Sequence, residues 1–135
     1  MREIKYRGWN PLHKKWLYGS HIINRRLSFI APDEFAEGKS WMDYEVDPCS
    51  VGQFTGLYDM NGREIYEGDI CALNYPSGRQ YMSVEWDKEG VHFGFRFKGD
   101  DHIGCSDAFQ NWIAQKRIEV IGNMMEDSEF LQQKK

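Results

Sequence analysis

Residues 70–97 read ICALNYPSGRQYMSVEWDKEGVHFGFRF, and this stretch decides the fold. Val91, Phe93, Phe95 and Phe97 recur at every second position, the period that turns one face of a strand toward a core. Residues 70–75 and 80–86 are the two apolar segments before them. Tyr75-Pro76-Ser77-Gly78 suits a type I turn, with proline second and glycine fourth. Asp87-Lys88-Glu89-Gly90 supplies the next turn. Connections this short join only antiparallel neighbours, so the three segments predict a meander.

Working outward, Asn61-Gly62 lies between Leu57-Tyr58 and Ile65-Tyr66 and predicts a type I′ hairpin, whose two central residues need positive φ. At the start, Ile4 and Tyr6 alternate with Glu3, Lys5 and Arg7, a half-buried strand. Asn10-Pro11 breaks it, and residues 15–19 supply the return strand of a hairpin. Between these regions the signals are weaker. Residues 27–30 and 42–46 read as strands, and residues 32–38 as one helical turn with Asp33 near its start. Downstream, Ser106 suits an N-cap, and Phe109, Trp112 and Ile113 fall at helical spacing behind it. A helix over 107–116 follows, then a strand over 118–121 stopped by Gly122-Asn123, then a second short helix around 127–133. The expected fold is mainly β: antiparallel sheets with an SH3-like or related partly open barrel, plus one or two short helices near the C-terminus. With no repeat or linker, residues 1–135 read as a single domain.

Three stretches resemble the YopX family of phage and prophage proteins. They are residues 2–9 with Lys14-Lys15 after them, residues 53–70 (QFTGLYDMNGREIYEGDI), and residues 118–123 with 129–131 after them. The resemblance implies a mostly β fold, a bacterial cytoplasmic setting during phage or prophage expression, and oligomers. It implies no active site. The family's stretches also have plain structural readings: Gly62 and Asn61 serve a turn, while Ile65, Tyr66 and Ile70 serve a core.

Composition narrows the function. Aromatic residues make up 15% of the chain, twenty rings in all. At roughly 150–250 Å² each they exceed what one small core takes in, which points to a self-association surface. Cys49, Cys71 and Cys105 form an odd, scattered set, unlike the even framework of a small secreted domain. No apolar run resembles a signal peptide or a membrane span, so the expected location is the cytoplasm, with no membrane partner.

Reaction chemistry finds no foothold in the spacing. His102 and Cys105 are separated as zinc ligands are, but no second close pair completes a site. Gly38-Lys39-Ser40 lacks the earlier glycine of a phosphate-binding loop. No cysteine or serine stands at a spacing that ties it to a base. We therefore expect no catalytic residues, no metal and no cofactor.

Charge is unevenly placed. Residues 1–26 hold seven Lys or Arg against Glu3 alone, and the other 109 residues hold ten basic against twenty acidic side chains, which together give the net −4. Such an asymmetry marks a binding face or internal complementarity. Lys14, Lys15, Trp16, Arg25 and Arg26 are the candidate binding residues. Two functions are expected: an accessory protein that acts by binding, through self-assembly or a host or phage protein, or a nucleic-acid-associated role for the basic, aromatic N-terminal hairpin.

Overall fold

Alternating apolar residues and short turns produce antiparallel pairing throughout. A computed structural model of the chain describes residues 4–34, 36–87, 92–97, 104 and 106–127. Arg2, Glu3, Lys88, Glu89, Gly90, Val91, His102 and Cys105, to which the sequence reading assigned roles, lie outside the described residues. The chain forms two compact units, Met1–Phe54 and Thr55–Lys135.

In the first unit, β1 (Tyr6–Asn10) and β2 (Lys15–Asn24) form the predicted N-terminal hairpin, with Trp9 opposite Trp16 and Asn10 opposite Lys15. β2 runs five residues further than predicted. It then turns through Arg25 and Arg26 and pairs with β3 (Leu27–Ala31), Asn24 opposite Leu27. Arg25 takes φ 61°, a left-handed conformation that glycine adopts far more readily than arginine. β4 (Glu45–Val46) pairs with β3, and the start of β5 (Gly52–Tyr58) pairs with β1 at Gly52 and Gln53. Gly8 is required where β1 meets β4: a Cβ there would lie 2.8 Å from Val46 Cγ2.

Residues 32–38 differ from expectation. None of those described is helical; the helical turn comes later, as a 3₁₀ turn over Trp41–Tyr44. Asp43 is the cause: its Oδ2 accepts the Ser40 N–H at 2.9 Å, closing the chain where a strand was predicted.

The second unit holds the meander. β7 (Asp69–Tyr75), β8 (Gly78–Asp87) and β9 (His92–Phe97) pair in sequence, and β10 (Ile118–Asn123) adds to the outer edge of β7. Pro76 and Ser77 make the two-residue connection, neither with positive φ. Helix α1 (Ser106–Ala114) starts one residue before the prediction and ends two residues before it. Its Phe109 stacks on Phe95 at 6.1 Å and its Trp112 meets Phe95 edge-on at 5.0 Å. Around these rings lie buried Cys71, Leu73, Met82, Val84, Ile118 and Val120, each large side chain contributing about 1.5–3 kcal/mol on burial. Residues 124–127 are helical, and the rest of the predicted second helix lies outside the described residues. Among the described residues no full barrel closes. The mainly β, antiparallel architecture with few short helices is as predicted.

β6 (Glu64–Tyr66) follows β5 through a hairpin whose turn is not type I′. Asn61 has no positive φ, and Gly62 alone takes φ 80°. The Gly62 N–H donates to Asp59 O at 3.0 Å, and the Asp59 N–H to Arg63 O at 2.8 Å. This is a type I turn ending in a left-handed glycine, the three-residue solution for a hairpin.

Candidate functional site

The candidate residues separate into two groups. Lys14 closes the β1–β2 turn with φ 54°, and Lys15 begins β2; both are exposed. Arg25 and Arg26 form the turn at the other end of the same strand and are also exposed. The ten-residue strand that starts at Lys15 separates the groups, roughly 30 Å of contour at 3.3 Å per residue. They are two separate cationic tips, not one patch.

Trp16 belongs to neither. It is half-buried, with the Arg7 guanidinium 4.6 Å from its ring centre and Trp9 edge-on at 5.5 Å. Arg7, which alternation placed on the solvent side, is buried. A planar cation desolvates more cheaply than an ammonium and lies flat on an indole, so the strand can bury it. Trp16 therefore spends one face on its own chain. His21 sits beside Tyr6, ring centres 5.6 Å apart, and burial pushes its imidazole pKa down.

The β1–β2 turn is fixed by Asn10. Fully buried, it donates through Nδ2 to Asp43 O and Glu45 O and accepts the His13 N–H at Oδ1. His13 Nε2 meets Asp43 Oδ1 at 2.8 Å. The Ser40 N–H, with His13 second, holds the Asp43 carboxyl below its usual range. Around this pair the surface is apolar: Leu12, Trp41 and Met42 are all exposed. Trp41 also packs edge-on against Phe29 at 5.5 Å. Nothing in the sequence singles out Trp41 and Met42, since 42–46 reads there as a strand.

In the second unit, the residues most specific to the resemblance do structural work. Asp59 Oδ1 accepts the N–H groups of Asn61 and Arg63, and Oδ2 accepts that of Val120, at 2.8–2.9 Å. One buried carboxylate thereby ties the β5–β6 turn to β10. Arg63 Nη1 donates to Val120 O at 3.1 Å, and Asp69 Oδ2 accepts the Tyr66 N–H at 2.7 Å. A cleft of about 240 Å³ is lined by Ile70, Arg79, Tyr81, Ile121, Gly122 and Asp127. Its arginine is already paired with Glu119 at 2.8 Å. No group of three His, Cys, Asp or Glu suited to a metal occurs among the described residues, and none of their helices is long and apolar enough to cross a membrane.

These features define a mainly β chain of two antiparallel units whose most distinctive polar residues fasten turns. The chain belongs to the YopX family: the model described as "YopX protein" matches residues 5–132. Its fold is similar to that of protein EF1440 from Enterococcus faecalis, known from a crystal structure, with a TM-score of 0.59 and 24% identity over 97% of this chain and 99% of that one. No curated protein matches it.

Proposed function

We propose that this chain is a phage- or prophage-encoded accessory protein that acts in the bacterial cytoplasm by binding protein, beginning with copies of itself. One observation carries the reading. Among the described residues the first unit leaves seven large apolar side chains exposed, Ile4, Leu12, Tyr18, Ile23, Leu27, Trp41 and Met42, all at 48% or more. Scattered apolar residues are ordinary on a surface, but aromatic and methionine side chains held beside a fixed turn are the material of interfaces. Family membership supports the phage or prophage source.

Light scattering on the full chain over a wide concentration range tests it. A mass that rises with concentration, and falls again in Trp41→Ser/Met42→Ser, is expected. A strictly monomeric chain overturns self-association. A second reading, nucleic-acid association, is favoured by the exposed cations Lys14, Lys15, Arg25 and Arg26. Salt-sensitive binding to single- or double-stranded oligonucleotides supports it, and no binding at low salt removes it.

A further inference from the structure

Residues 14–31 contain Lys14, Lys15, Arg25 and Arg26 and no acid at all. Residues 32–47 contain Asp33, Glu34, Glu37, Asp43, Glu45 and Asp47 against Lys39 alone. The fold sends these opposite charges to opposite ends of β3. Arg25 and Arg26 sit just before Leu27, and Asp33 and Glu34 just after Ala31. Five strand residues separate them, roughly 17 Å, well past a Debye length of about 8 Å at physiological salt. Within one copy they cannot neutralise each other. Among the described residues no side chain of Arg25, Arg26, Asp33, Glu34 or Glu37 enters a hydrogen bond or ion pair.

Each end also carries exposed apolar side chains. Ile23 is 68% and Leu27 48% exposed at the arginine tip, while Met42 is 69% and Trp41 50% exposed near the acidic end. Trp41 reaches that end because β4 runs antiparallel to β3, Glu45 opposite Phe29 and Val46 opposite Ser28. The 3₁₀ turn before β4 thus lies toward Ala31. The Ala36 N–H donates to the Tyr44 hydroxyl at 3.2 Å, holding the acidic segment against the same turn.

We propose that the Arg25-Arg26 tip of one copy docks on the acidic end of a second copy, with Ile23 and Leu27 against Trp41 and Met42. Each copy carries both halves of the contact, so the interface is heterologous, and its assemblies are rings or open filaments rather than isologous pairs. The inference rests on the self-association proposed above and names the surface that performs it.

Charge reversal in the full-length chain tests it, read by sedimentation velocity at low and high salt. Arg25→Glu/Arg26→Glu, and separately Asp33→Lys/Glu34→Lys/Glu37→Lys, should each weaken association by about tenfold or more, equivalent to 1.4 kcal/mol. Both sets in one chain should restore it, and so should an equimolar mixture of the two reversed proteins. Restoration would exclude simple misfolding, since every substituted side chain is exposed. If the reversed proteins associate as the parent does, this interface is wrong while self-association stands. A parent chain monomeric at every concentration removes both. Loss of oligonucleotide binding in Arg25→Glu/Arg26→Glu, with sedimentation unchanged, assigns the tip to nucleic acid and overturns the proposal.

Discussion

The guanidinium of Arg7 lies 4.6 Å from the centre of the Trp16 ring, on the diagonal across the β1–β2 hairpin, with Arg7 only 7% exposed. Lysine at position 7 would keep the charge and lose the planar contact. Arg7→Lys should cost about 1 kcal/mol or more in chemical denaturation. It should also change the near-ultraviolet dichroism of the tryptophans, because Trp9 packs on the same ring. Unchanged stability would show that the stacking is incidental.

Asp59 offers a sharper test. Asp59→Ala removes the acceptor of three backbone N–H groups, and the buried Val120 N–H then has no replacement in view. A loss of about 2–4 kcal/mol is expected by urea denaturation. Asp59→Asn should recover only part of it, since an amide offers one acceptor oxygen for the two the carboxylate used.

Gly8 and Val46 form a pair suited to a double-mutant cycle. Gly8→Ala places a methyl within 2.8–2.9 Å of three Val46 carbons and should destabilise by about 1–3 kcal/mol. Combined with Val46→Ala, part of that loss should return. Strict additivity would mean the strands are held apart by something else.

Acid stability should depend on Glu85. Burial raises its pKa, but Arg96, gripping both oxygens at 2.8 and 3.2 Å, and the Ser83 hydroxyl outweigh it, so the folded value is lowered from 4.5. A carboxyl depressed by folding stabilises the native state above its unfolded pKa, and the contribution fades as pH falls through the folded one. The melting temperature of Glu85→Gln should therefore fall less steeply than the parent's below pH 4.5. Asp43, also lowered, accounts for part of the slope that remains.

Much of the fold was legible where local chemistry and tertiary need agreed. Pro76-Ser77 made the turn that its residues favour, and Phe109 and Trp112 found Phe95 as helical spacing required. The hairpin at 57–66 was legible but its turn type was not. Asp59, bonding forward to Asn61 and Arg63, selects the longer connection, and dipeptide preference carries no sign of that. The length of β2 was hidden because Arg25 takes a glycine-like backbone. Of the candidate site, the sequence named the cations and left their separation unseen, since distance along a strand emerges only when the strand's end is known. Trp41 and Met42 escaped because a capping carboxylate overrode a strand-like pattern.

Lys14, Arg25 and Lys116 are the described non-glycine residues with positive φ, at 54°, 61° and 58°. Lys116 closes α1 as glycine usually does: its N–H donates to Ile113 O and the next N–H, from Arg117, donates to Trp112 O, both at 3.0 Å. A side chain in that conformation costs about 1–2 kcal/mol, partly returned because glycine loses more freedom on folding. Evolution in the laboratory under heat alone should therefore drift all three codons toward glycine. Repeating the selection with the chain's own biological activity as a second demand would sort them: a cation that persists against that drift is kept for what it touches, and one that vanishes was only filling a corner.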